Sequence, residues 1–96
     1  MTVLSYSRYV VEPENADDHV VRRAALITAV RAEVPGLGPT RVARVDERTW
    51  LDVWLWESRE SVEAARAYAP TLPEAAAAFA LLGEHRLEFA DVVDEV

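Results

Sequence analysis

The strongest pattern in the chain is the alternation over Thr49–Glu57, T-W-L-D-V-W-L-W-E. Its odd positions Leu51, Val53 and Leu55 are aliphatic. Its even positions Trp50, Asp52, Trp54 and Trp56 hold all three tryptophans of the protein and one carboxylate. Period-two alternation rich in Trp, Val and Leu predicts a strand. Neither set is polar, so a covering layer is expected on both sides of the sheet that holds it. The chain can supply helices for one layer, and a second copy of the protein is expected to supply the other.

The rest of the chain completes that sheet. Val3–Val11 alternates and predicts a first strand. Pro13 suits a first helical turn, and Asn15 with Asp18 gives a further start signal. Val20, Ala24, Ile27, Val30 and Val34 recur at helical spacing, with Val21 and Ala25 widening the stripe. Pro35-Gly36-Leu37-Gly38-Pro39 reads as a loop, and Thr40–Asp46 as a second strand turning into the tryptophan strand. Ser58 is the expected N-cap of a helix over Arg59–Ala69, which Pro70 ends. Thr71-Leu72-Pro73-Glu74 has the form of a capping box and predicts a helix through Ala75–Leu82, with Gly83 as its stop. Glu84–Val93 is the predicted fourth strand. The order β-α-β-β-α-β over a single domain, residues 1–96, is the ferredoxin-like α+β arrangement: a four-stranded antiparallel sheet with helices on one face. The bare face is expected to pack against its counterpart in a homodimer.

Composition and charge narrow the function. A chain of 96 residues removes only about 60–65% of its unfolded surface by folding alone. Yet 51% of its residues are hydrophobic, so surplus apolar surface is expected to meet a partner or a ligand. The net charge of −7 argues against nucleic-acid binding and against anionic membranes. The absence of cysteine excludes disulfide and thiolate chemistry. No apolar run is long enough to span a bilayer and no signal peptide is apparent, which makes a cytoplasmic protein the expectation.

Several residues could carry chemistry. Trp50, Trp54 and Trp56 would wall a flat aromatic pocket or fill a core, and Trp56 is the best single pocket candidate. Asp52 shares their face, either as a desolvated proton carrier or as the partner of Arg8, Arg44 or Arg86. His85, opening the fourth strand, is the candidate general base, whereas His19, beside Asp17 and Asp18, reads as a solvated surface residue. Tyr6 and Arg8 share a face of the first strand and could orient an oxygen of a ligand. Tyr68 either lines the pocket mouth or covers the core. Two isolated histidines give no metal site, and the lack of glycine-rich nucleotide motifs leaves no cofactor expected. The break at Tyr68–Pro73 places the expected cavity between sheet and helices.

The stretch L-D-V-W-L-W-E-S-R-E-S-V-E-A, Leu51–Ala64, and the segment E-V-P-G-L, Glu33–Leu37, resemble the antibiotic biosynthesis monooxygenase-like group of dimeric α+β barrel proteins. The resemblance implies a homodimer and a tryptophan, here Trp56, at the end of the third strand. Haem-degrading relatives pair such a tryptophan with an asparagine on the first strand and a histidine on the last helix. Here the first strand has Ser5 and Ser7 and Ala69–Gly83 contains no histidine, which argues against haem degradation. The second-helix histidine of many members is also missing, its region reading Ala64, Ala65, Arg66, Ala67. What the resemblance implies is a cofactor-independent monooxygenase acting on an aromatic, polyketide-type phenol. An isomerase or cyclase on the same scaffold and a non-catalytic ligand-binding module are the alternatives.

Overall fold

The computed structural model describes residues 2–96, and Met1, the first residue of the predicted domain, lies outside the described residues. The strands are β1 (Val3–Val10), β2 (Leu37–Arg44), β3 (Thr49–Trp56) and β4 (Gly83–Asp91). They form one antiparallel sheet in the order β2-β3-β1-β4, the ferredoxin-like topology with β3 and β1 at its centre. The helices are α1 (Ala16–Glu33), α2 (Arg59–Tyr68) and α3 (Pro73–Phe79), with 3-10 turns at Pro13–Asn15 and Ala69–Thr71.

Register decides which side chains meet. Val3, Ser5, Ser7 and Tyr9 of β1 stand opposite Trp56, Trp54, Asp52 and Trp50 of β3. Directly opposed residues share a face, and this set lies on the helix side. Leu4, Tyr6 and Arg8, opposite Leu55, Val53 and Leu51, occupy the other face. Under the helices Val3 and Trp56 pack with Leu26, Ile27, Val30, Val34, Leu37, Val62, Ala65, Ala75 and Ala78. A smaller cluster of Tyr9, Val11 and Trp50 occupies the other end of the central strands, with Ala16, Val42 and Leu82 against it. Ser7 and Asp52 fall between the two clusters.

Several local expectations are corrected. The inward stripe of α1 is His19, Leu26, Ile27 and Val30, with Arg23 on the same side, whereas Val20 and Val21 are 45% and 66% exposed. The positions 19, 23, 26, 27 and 30 keep helical spacing; the helix is rotated so that Arg23 reaches Asp52 on the sheet. His19 is therefore not a surface residue: it is 3% exposed. Strand β2 begins at Leu37, within the segment read as a loop. Pro39 is tolerated there because β2 is an edge strand, and its register on β3 shifts between Leu37 and Thr40. The capping box of Thr71 does not form: its hydroxyl donates to the Tyr68 carbonyl at 2.6 Å, and Leu72 takes the N-cap position of α3. Ser58 caps α2, accepting from the Ser61 amide at 3.2 Å. Gly83 opens β4 rather than merely stopping the helix.

Candidate active site

The seam between the two clusters opens into a cavity of about 500 Å³ between the sheet and the helices. Small residues on the sheet make the room: Ser5 and Ser7 of β1 lie between bulkier neighbours, Trp54 and Asp52 on β3 and Phe89 and Leu87 on β4. Trp54, Trp56, Phe79 and Phe89 give aromatic walls, and Leu26, Val30 and Val62 come down from α1 and α2. Ala69 and Pro70, at the break between α2 and α3, also line it. The two indoles lie 5.9 Å apart between ring centroids, tilted by 36°. Trp56 is 5% exposed and its Nε1 donates to the Ser5 hydroxyl at 3.1 Å, so the ring is fixed as part of the core while bordering the cavity.

One wall is polar, and its hub is Asp52. Arg23 donates to both carboxylate oxygens, Nε to Oδ2 at 2.8 Å and a terminal guanidinium nitrogen to Oδ1 at 2.9 Å. The Tyr9 hydroxyl donates to Oδ2 at 3.0 Å and the Trp54 indole to Oδ1 at 2.8 Å. Four donors converge on one buried carboxylate, two of them a bidentate guanidinium fork. This saturates the carboxylate and leaves no place on it for a substrate proton. The Tyr9 oxygen also lies 2.8 Å from His19 Nε2. Tyr9 sits where the register of β1 on β4 shifts, between Arg8 and Val10. Such irregularities re-aim side chains beside functional sites.

Burial moves the titrations of these groups. Desolvation, then the Asp52 charge, pushes the Tyr9 hydroxyl far above its ordinary value, so it remains a phenol. Desolvation lowers the pKa of His19 and the Arg23 charge adds to this, against the pull of Asp52, so the imidazole is held neutral.

The other anticipated residues are dispersed. Trp54, Trp56, Asp52 and His85 border the cavity. His85 stands at the exposed rim on β4, its ring centroid 6.0 Å from Tyr9 and 5.8 Å from Phe79. Tyr6 and Arg8 lie on the opposite face of the sheet and do not border this cavity; Arg8 instead borders a second, more polar depression with Thr49, Glu84 and Arg86. Tyr68 does not line the cavity either, although the next two residues do. Asp52 is held by Arg23 from the helix layer, not by Arg8, Arg44 or Arg86. Trp50 packs in the smaller cluster, with Arg44 stacked 4.8 Å from its ring centroid.

No family model matches the chain, and no curated protein matches it in sequence. Solved structures match it over its length. SnoaB, a cofactor-independent oxygenase from Streptomyces nogalater crystallised as a point mutant, superposes with a TM-score of 0.80 at 19% identity, covering 99% of this chain and 96% of that one. A candidate antibiotic biosynthesis monooxygenase from Caulobacter crescentus CB15 gives 0.79 at 19% identity, covering 97% and 91%. Rv0793 from Mycobacterium tuberculosis gives 0.73 at 19% identity, covering 99% and 98%. The chain has the fold of the antibiotic biosynthesis monooxygenases. In this version of that fold, no helix among the described residues is long and apolar enough to cross a membrane, and no group of three or more metal-ligating side chains comes together.

Sequence reasoning missed Tyr9, His19 and Arg23 as site residues. The available signal was their spacing. His19 and Arg23 are one helical turn apart and in line with Leu26, Ile27 and Val30, and Tyr9 shares the β1 parity of Ser5 and Ser7.

Proposed function

We propose that the protein is a small homodimeric monooxygenase that oxidises an electron-rich aromatic phenol with molecular oxygen and no cofactor. The observation that carries this reading is the cavity itself: about 500 Å³, aromatic on its walls, with a buried polar corner of Tyr9, His19, Asp52 and Arg23 on one side. An apolar pocket with a few convergent polar groups suits a flat molecule with one hydroxyl to orient. Trp54 and Trp56 offer ring faces for stacking, and the polar corner meets the phenol oxygen. Once that oxygen is deprotonated, the ring becomes carbanion-like and gives an electron to oxygen. For an anthrone-type methylene the balance closes without an external reductant. The CH2 carbon becomes a carbonyl with one oxygen atom, and its two hydrogens leave with the other as water. The chain's part is to hold the ring, exclude water and take the first proton.

The dimer belongs to the same reading. On the non-helical face Leu4, Tyr6, Leu51, Val53 and Leu55 are half-buried in the single chain, an apolar stripe that a second sheet would complete. A permanent interface of this kind buries more than about 2,000 Å² in total. Sedimentation at micromolar concentration is expected to show a dimer; a stable monomer would defeat that part.

The decisive experiment is oxygen uptake with a panel of anthrone-like phenols. Uptake with matching quinone formation supports the proposal. Product without oxygen uptake would assign an isomerase or cyclase, and binding without turnover a ligand-binding module.

A further inference from the structure

We infer that His19 is the group that takes the proton from the bound substrate's hydroxyl, with the Tyr9 hydroxyl as the bridge between them. This rests on the proposed reading of the cavity as an aromatic-phenol site. Tyr9 and His19 both border the cavity, and the Tyr9 oxygen touches His19 Nε2 at 2.8 Å and Asp52 Oδ2 at 3.0 Å. A phenol oxygen has one proton to give and two lone pairs to receive with. When Tyr9 donates to Asp52 it accepts from His19 Nε2–H, and one lone pair is left for a substrate hydroxyl.

The imidazole is built to change roles. Nδ1 of His19 is buried and has no hydrogen-bond partner among the described residues. A histidine is normally locked in one tautomer by the bond its second nitrogen makes. Here no bond at Nδ1 locks it: while Tyr9 donates to Asp52, Nε2 is the donor, and when the Tyr9 hydroxyl turns to the ring, Nε2 is the acceptor. A buried nitrogen left without a partner costs free energy, and such exceptions call for a functional explanation. The charged and titratable groups around His19 are Tyr9 from β1, Asp52 from β3 and, along its own helix, Arg23, with the His85 ring of β4 6.0 Å from the Tyr9 ring. Trp50 packs against the imidazole edge-on, 4.9 Å away between centroids, and brings no charge. Desolvation keeps the resting imidazole neutral and therefore able to accept.

The step balances as a proton transfer with no change of oxidation state. The substrate O–H bond breaks and its proton goes to the Tyr9 oxygen. The Tyr9 hydroxyl hydrogen, turned from Asp52 Oδ2 to the imidazole, moves to His19 Nε2, starting from the tautomer in which Nδ1 carries the ring proton and Nε2 is bare. The products are a substrate phenolate and an imidazolium beside the Asp52 carboxylate, whose charge favours the imidazolium. Arg23 holds that carboxylate in place, as a positioning residue.

The test uses alizarin, a hydroxyanthraquinone whose visible band shifts when a hydroxyl ionises, titrated with pH on the full-length protein. Wild type is expected to bind it with its ionisation shifted to lower pH than in water. Tyr9→Phe keeps the ring and removes the bridge; His19→Gln removes the acceptor. Each is expected to raise the bound dye's apparent pKa by about one unit or more, a tenfold change in ionisation. If His19→Gln does not fold, nitrogen-15 imidazole spectra of the wild-type complex read His19 directly, and two protonated nitrogens with the dye anionic are the expected result. A neutral His19 beside an ionised dye would overturn the inference, as would a loss of ionisation confined to His85→Gln. Failure of alizarin to bind would overturn it together with the aromatic-cavity reading. A dye that binds and ionises as expected, with no oxygen uptake on any phenol, would remove the oxygenase proposal and leave this one standing.

Discussion

Breaking the Arg23–Asp52 pair gives the sharpest test of how α1 is held to the sheet. In Arg23→Met the aliphatic stem is largely replaced, but Asp52 loses two of the four donors on its carboxylate. The side chains of Arg23 and Asp52 are 13% and 9% exposed, so water does not fill the gap freely. Removing one partner of a buried ion pair costs about 3–5 kcal/mol, because the other charge stays behind uncompensated. Against a usual domain stability of about 5–15 kcal/mol, that is a large share. Asp52→Asn is expected to cost a similar amount, since it strands the guanidinium and turns an amide N–H toward other donors. The two losses share one cause, so the double variant should fall short of their sum by about 2 kcal/mol. Urea unfolding followed by circular dichroism measures this, with an unchanged denaturant slope as the control for two-state behaviour. If Arg23→Met costs less than about 1 kcal/mol, as an exposed pair would, or if the two changes simply add, the pair does not anchor the helix.

Three further outcomes follow from the packing. Trp56→Ala should cost about 3–5 kcal/mol of stability, because the indole is a main-core side chain as well as a cavity wall; ligand effects of the ring are better read in Trp56→Phe. Stability should fall as pH drops below about 6.5, since the folded pKa of His19 is depressed and the unfolded chain binds the proton first; thermal melts from pH 7.5 to 5 read the slope, and His19→Gln should flatten it. Gly36→Ala should destabilise by about 1–3 kcal/mol through overpacking, since an added Cβ would run into the Ser61 side chain; Ser61→Ala in the same chain should recover part of it, as seen in the urea midpoint.

How much of this was legible varies by residue. The tryptophan strand announced itself because aliphatic and aromatic residues alternate without a polar face, and its central place in the sheet follows. The strand order and helix placement followed from the order of elements. The parity of β1 was not legible. Leu4, Tyr6 and Val10 are as apolar as Val3, Tyr9 and Val11, so only the packing of Val3 and its partner Trp56 beneath the helices shows which set faces them. This is why Tyr6 and Arg8 looked eligible for a site they do not reach. The stripe of α1 was read correctly at Ile27, Val30 and Val34 and misread at Val20, Val21, Ala24 and Ala25, for a related reason. Hydrophobic periodicity counts His19 and Arg23 as solvent-facing, but a carboxylate on the sheet makes a buried arginine favourable where a valine would strand it. The valines at positions 20 and 21 are exposed because that face of the helix is left over, not because it was selected as a core.

The same contact therefore has two consequences, one for folding and one for chemistry. Asp52 draws Arg23 inward and so fixes the rotation of α1. That rotation carries His19, one turn earlier, onto the Tyr9 hydroxyl. Asp52 also accepts hydrogen bonds from the Tyr9 hydroxyl and the Trp54 indole N–H, which sets one aromatic wall of the cavity relative to the polar corner. A cheaper way to dock the helix exists in principle, since apolar residues of similar volume in place of a buried ion pair are often neutral or stabilising. Replacing both Arg23 and Asp52 by such residues would leave the helix docked but release Tyr9 and Trp54 from their common acceptor. The retention of charge at this seam is thus better explained by the orientation of the site than by the stability of the fold.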